Sequence, residues 1–120
     1  MMAKNQRVRV QGNEVVLLGE NEIKKLVSFP YPVAQVLEFS SAAIVRLEPP
    51  MKRCFNENVY GVSYGGEILW RIEPRKHVYE DSPYTGMIQA GENVKLFNWD
   101  GAELLVDPIS GRVLKEEYGK

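Results

Sequence analysis

Apolar side chains in this chain of 120 residues recur at every second position in short runs, and the runs are cut by Gly, Pro, Asn and Asp. Successive side chains of an extended strand point to opposite faces, so this spacing builds half-buried β-strands. A helix would need apolar residues at a period of about 3.6. Little of that longer period exists in the sequence. The expectation is an all-β fold of antiparallel hairpins with at most one or two short helices. The hairpins would form a curled sheet, two packed sheets or a partly open barrel.

The first runs, Arg7 to Val10 and Val15 to Leu18, flank the turn Gln11-Gly12-Asn13-Glu14, and Ile23 to Phe29 follows Gly19-Glu20-Asn21. They predict an N-terminal three-stranded meander over residues 6–29. Pro30-Tyr31-Pro32 ends it, because each proline fixes its own φ and keeps the residue before it extended. Val33 to Phe39 reads either as one short helical turn or as an irregular edge, and Ala42 to Glu48 as a strand stopped by Pro49-Pro50. No linker-like or low-complexity stretch interrupts the chain, so residues 1–120 read as a single β domain of ordinary size.

The stretch 57–66 is echoed at 92–101, and each copy runs on into a further strand. Gly65-Gly66 and Asp100-Gly101 have the composition of two-residue hairpin loops, which need positive φ. Hairpins are therefore expected over 58–73 and 93–118. A two-residue loop places Gly61 opposite Trp70, Val59 opposite Ile72, Ser63 opposite Ile68 and Val62 opposite Leu69. In the second hairpin it places Leu96 opposite Leu105 and Phe97 opposite Leu104. Both hairpins would be apolar on two faces and central. Asp107-Pro108-Ile109-Ser110-Gly111 then reads as a type I turn closed by a left-handed glycine, leading to a last strand over Arg112 to Tyr118. Two copies are too few for a free-standing propeller or solenoid.

Gly66-Glu67-Ile68-Leu69-Trp70, Asn98-Trp99-Asp100-Gly101 and the tail Val106 to Val113 resemble a group of small uncharacterised bacterial proteins whose hairpins share a G-x-x-L-W pattern. The resemblance covers roughly residues 57–118. It implies a hairpin-built β domain, loosely like immunity or accessory proteins of toxin systems, and it transfers no site residue.

Composition excludes more than it assigns. Fifteen basic against sixteen acidic side chains give a net charge of −1, so no bulk field recruits nucleic acid or an anionic membrane surface. Cys54 is the only cysteine and His77 the only histidine, which rules out an internal disulfide and the usual zinc ligand sets. Cys54 is expected to be a buried structural thiol in a reducing, cytoplasmic compartment. No run approaches the length of a membrane span. No phosphate-binding glycine motif is present, and no cofactor is implied. Glu67, Asp100, Glu103 and Asp107 sit beside tight turns, where solvated acids are ordinary, so no catalytic residue is assigned. Trp70, Trp99, Tyr60, Tyr64 and Phe97 fall at hairpin core positions, which favours packing over a stacking platform.

The segment Arg75 to Gly91 differs in kind. It holds Arg75, His77, Tyr79, Asp81 and Tyr84 between two well-patterned hairpins, and such long connections usually carry function or cover an edge. These five are the candidate binding residues. The expected function is a non-enzymatic module whose partner is another protein, with no homo-oligomer indicated. The alternative is a small-molecule or carbohydrate-binding β domain, conceivably a weak hydrolase, with Trp99 and Tyr64 lining its pocket.

Overall fold

The computed structural model describes residues 7–18, 23–76 and 79–118. They form eleven strands and, among the described residues, no helix. Three antiparallel sheets follow one another along the chain. The first is β1 (Val8–Gln11), β2 (Glu14–Leu18) and β3 (Ile23–Ser28). The second is β4 (Val33–Glu38), β5 (Ala43–Leu47), β6 (Val59–Val62) and β7 (Ile68–Arg71). The third is β8 (Tyr84–Ala90), β9 (Asn93–Asn98), β10 (Ala102–Val106) and β11 (Val113–Tyr118). None closes into a barrel. The sheets are three where one or two were expected.

The second sheet lies in the middle and is apolar on both faces. Ala43, Val45, Leu47, Tyr60 and Val62 pack on Val8, Val15, Val27 and Phe29 of the first sheet and the chain following it. Ile44, Val59, Trp70 and Ile72 pack on Tyr84, Met87, Val94, Leu96, Leu104 and Val106 of the third. This explains why Ala43-Ile44-Val45 and all of β6 are buried at consecutive positions, whereas β9 and β10 alternate as one-sided strands do. Each fully buried Ile, Leu or Val contributes roughly 1.5–3 kcal/mol relative to exposure.

Several local expectations change. Residues 33–38 form strand β4 rather than a helical turn, because pairing with β5 satisfies their backbone. The β9–β10 loop holds three residues, Trp99-Asp100-Gly101, with Gly101 at φ 97 and its N–H donating to the Asn98 carbonyl. Leu96 therefore faces Leu104, and Phe97 faces Glu103. The β6–β7 turn has the same form, with Gly66 at φ 95 and bonded to Ser63. This pairs Ser63 with Glu67 and Val62 with Ile68, not Ser63 with Ile68 and Val62 with Leu69. A bulge after Gly61 then cancels the extra loop residue, so Gly61 does face Trp70 and Val59 faces Ile72. β7 is an edge strand, with Ile68 and Leu69 exposed, so the first hairpin is central only through β6. The long connection also shortens to 72–83, because 84–90 is β8. A bulge between Tyr84 and Gly86 breaks its alternation and hides the strand from a period-two reading.

Trp70 ties the second sheet to the third. Its indole Nε1–H donates to the Pro108 carbonyl at 2.9 Å in the β10–β11 turn. A Cβ built at Gly61 would lie 2.2 Å from Nε1, and one at Gly111 would lie 2.5 Å from Cγ. The ring thus fills a slot with one glycine from each sheet on its walls.

Candidate functional site

The connections 39–42, 63–67 and 107–112 gather at one end of the sheets, and 48–58, 72–83 and the β9–β10 turn at the other. Of the sequence candidates, Arg75, Tyr79, Asp81 and Tyr84 belong to the second end, and His77 lies outside the described residues. The four have different roles.

Arg75 is a structural cation. Its Nη1 donates to Asp100 Oδ2 at 3.0 Å, Nη2 to Glu116 Oε2 at 2.6 Å, and Nη2 also to the Tyr118 hydroxyl at 2.8 Å. The Arg75 side chain is 10% exposed and the Asp100 carboxylate 0%. Burial works against the guanidinium charge. The hydrogen bonds to Glu116 and Asp100 outweigh it and hold Arg75 above its ordinary pKa. The other Asp100 oxygen accepts the Ala102 N–H at 3.0 Å, so this carboxylate also fixes the β9–β10 turn.

Tyr84 is a core residue, 2% exposed, packed between the second and third sheets. Its hydroxyl is buried with no hydrogen-bond partner, and burial pushes its pKa well above that of a free tyrosine. Neither Arg75 nor Tyr84 presents the exposed side chain expected of a partner contact. Tyr79 and Asp81 do.

Three buried polar residues hold this end together, and sequence inspection assigns none of them a role. Asn58 donates to the carbonyls of Leu47 and Tyr84 and accepts the Tyr84 N–H. Ser82 donates its hydroxyl to the Tyr79 carbonyl, while Asn98 donates to the Ser82 carbonyl. An asparagine beside a turn reads as turn chemistry, so the only available signal points elsewhere.

The rigid frame displays one residue prominently. Trp99 opens the β9–β10 turn with its backbone N–H bonded to the Pro83 carbonyl at 2.9 Å, and the residue is 64% exposed. Tyr118 and Tyr79 are exposed at the same end, the former under the Arg75 guanidinium at 5.7 Å. Tyr64 lies at the opposite end, donating to the Phe39 carbonyl at 2.6 Å, so Trp99 and Tyr64 share no pocket. Trp70 and Tyr60 are core residues.

Three of the four acids beside the turns have partners of their own. Asp100 is held by Arg75, Glu103 lies 3.7 Å from Lys95, and Asp107 caps the N–H groups of Ile109 and Ser110 in its own turn. Cys54 is exposed, not buried, because it sits in the open 48–58 connection. Desolvation and the neighbouring carboxylates of Asp81, Glu80 and Glu57 raise its pKa, which disfavours the nucleophilic thiolate. Among the described residues no three His, Cys, Asp or Glu side chains are grouped to hold a metal.

A cleft of about 820 Å³ opens at the other end, between Arg7, Glu38, Phe39, Gln89, Asp107 and Ile109. Much of its polar lining is already engaged. Arg7 donates to the carbonyls of Phe39 and Ser40, and Glu38 accepts the backbone N–H groups of Arg7 and Val8.

Solved structures with this arrangement share little sequence with the chain, so the likeness concerns fold alone. The computationally designed Ika8 protein aligns with a TM-score of 0.68 at 14% identity, over 98% of this chain and 36% of that one. The chain thus spans about a third of the Ika8 chain. BamB from Moraxella catarrhalis aligns at 0.62 and 13% identity, over 93% of this chain and 33% of that one. The Pan2 WD40 domain of Neurospora crassa aligns at 0.55 and 17% identity, over 94% and 37%. The three sheets stack as successive four-stranded blades do in WD40 propellers, the first with three strands. No curated protein sequence matches the chain. The model for a domain of unknown function, DUF7957, matches residues 4–118, and the chain belongs to that family.

Proposed function

We propose that the chain is a non-enzymatic interaction module that engages another protein through the rim of Trp99, Tyr79 and Tyr118. The observation that carries this reading is the Trp99 indole, exposed on a turn locked by Asp100 and Pro83. A three-residue turn closed by Gly101 requires no tryptophan at its first position. A large aromatic on an immobile backbone loses little entropy on binding, and interface energy concentrates in such Trp, Tyr and Arg side chains. Asp81 adds a charge beside the rim, and Arg75 acts through Tyr118 and Asp100 as its support. The single cysteine fits a reducing compartment such as the cytoplasm, and no described helix is long and apolar enough to cross a membrane.

The test compares tagged wild-type protein with Trp99→Ala, Tyr79→Ala and, at the opposite end, Ile109→Ala in quantitative affinity capture. A protein held by wild type and Ile109→Ala, but at least tenfold weaker on Trp99→Ala, supports the rim; tenfold corresponds to about 1.4 kcal/mol. Equal capture by all variants refutes it. The volume of the cleft between Arg7 and Asp107 favours a second reading, a small-molecule or carbohydrate site. A ligand that raises the melting temperature of wild type but not of an Ile109→Trp variant would transfer the function there.

A further inference from the structure

The cleft at the end opposite the Trp99 rim lies where turns of the second and third sheets meet. The β4–β5 connection contributes Ser40, the β8–β9 turn Glu92 and Asn93, and the β10–β11 turn Asp107 and Ile109. Its walls are fixed from within the chain. Ala90 faces Asn93 across the two-residue β8–β9 loop, in which Gly91 has φ 63. Asp107 caps the N–H groups of Ile109 and Ser110 through Oδ1, and the Pro108 carbonyl receives the Trp70 indole. A preformed space of about 820 Å³ falls within the usual range of small-molecule sites.

The charged groups lining it divide into two kinds. Arg7 is spent: Nη2 donates to the Phe39 and Ser40 carbonyls, the guanidinium lies 3.8 Å from the Tyr64 ring centroid, and Glu38 balances its charge with Oε1 4.0 Å from Nε. Glu38 is spent as well, because its oxygens accept the N–H groups of Arg7 and Val8. Glu92 and Asp107 remain. Among the described residues no cation pairs with either, and the Glu92 carboxylate and Asp107 Oδ2 accept no hydrogen bond. The lining thus sets one cation against three carboxylates, a balance that repels phosphates and other anions. Phe39, the aromatic residue among those lining the cleft, is only 8% exposed, so no ring face is open for a base or a sugar to stack on.

We infer that the cleft binds a small organic cation, an amine or a guanidine, with Glu92 and Asp107 as its charge partners. The two carboxylates accept charge-assisted N–H bonds, the Asn93 side-chain carbonyl and the Ser40 hydroxyl take further donors, and Ile109, 49% exposed, covers the aliphatic part of the ligand. The volume far exceeds that of a bare metal ion, and no three metal-ligating side chains gather among the described residues. The inference rests on the small-molecule reading of the cleft and gives that ligand a charge. It does not involve the Trp99 rim, which lies at the other end.

Isothermal titration calorimetry of the full chain with agmatine and with spermidine, beside maltose, AMP and magnesium chloride, tests the inference. At least one of the two amines should bind with a Kd below about 1 mM and bind at least about threefold more weakly in about 0.5 M salt. Glu92→Gln and Asp107→Asn should each weaken that binding about tenfold, as loss of one charge-assisted bond does. Asp107→Asn keeps a side-chain oxygen for the turn cap, and thermal melts without ligand should show both variants folded. Ile109→Trp should block binding, and Trp99→Ala should leave the affinity unchanged. In Trp99→Ala the remaining tryptophan is Trp70, and its emission should shift on binding, because its partner Pro108 lies in the cleft wall. Amine binding indifferent to Glu92→Gln and Asp107→Asn, or magnesium bound as tightly as the amine, would overturn the inference. Maltose or AMP bound in place of the amines, and lost in Ile109→Trp, would overturn the charge of the ligand while keeping a small-molecule site in the cleft. No heat from any probe at about 10 mM would overturn both.

Discussion

Replacing Gly61 by alanine sets a local preference against a tertiary one. Inside a strand, glycine is less stable than alanine by roughly 0.5–1 kcal/mol, so local propensity alone makes the substitution stabilising. The indole slot opposes it. The new Cβ would lie 2.2 Å from Trp70 Nε1 and 2.3 Å from Cε2, so the ring must move. Overpacking of this kind costs about 1–3 kcal/mol. Displacing the ring also stretches the bond to Pro108, worth about 0.5–1.5 kcal/mol net. The sum is a net loss of roughly 1–3 kcal/mol, read as a lower urea midpoint at unchanged slope. In a Trp70→Leu background the obstacle is absent, and Gly61→Ala should become neutral or stabilising. The cycle should therefore show coupling above about 1 kcal/mol. A single variant as stable as wild type, or an equal loss in both backgrounds, would refute the slot.

Arg75→Ala should destabilise by about 3–5 kcal/mol in denaturant melts, because it removes the guanidinium that balances the buried Asp100 carboxylate; Asp81→Ala, on the exposed loop, should shift stability by less than about 0.5 kcal/mol. Tyr84→Phe removes a hydroxyl that has no partner and should be neutral or stabilising at pH 7. Burial raises the Tyr84 pKa above its ordinary 10.0, so its contribution is constant below about pH 10 and is lost as pH rises beyond it. The alkaline decline should be shallower in Tyr84→Phe, and identical profiles would refute the assignment. Cys54, though exposed, should react with a disulfide reagent at pH 8 several-fold more slowly than a free cysteine thiol, because its raised pKa leaves less thiolate.

Strand content was legible because alternation is a backbone property, and the hairpin strands fall where it occurs. The Gly61 and Trp70 pairing was legible for an incomplete reason. The turn holds one residue more than its composition suggested, and the bulge beyond Gly61 takes that residue back. The second hairpin has no compensating bulge in β9 and β10, and there the same reasoning missed by one position. β8 was hidden by its bulge, which spaces Tyr84 and Met87 unevenly while burying both. Within the candidate segment, Arg75 and Tyr84 serve the fold. Arg75 is drawn inward by Asp100 and Glu116, which are distant in sequence, and nothing local signals such a pairing. Trp99, set aside as a core residue by its hairpin position, is exposed because the turn is longer than two residues.

In every sheet each strand pairs with its neighbour along the chain. The hydrogen-bonded framework is therefore built from pairings between consecutive strands. Non-local pairings slow the folding of β proteins, and here no strand pairing skips a strand along the chain. Trp70 and Pro108, 38 positions apart, join two such sheets. Their bond can form only once those two sheets have met, so it reports on the docking of sheets rather than on the pairing of strands.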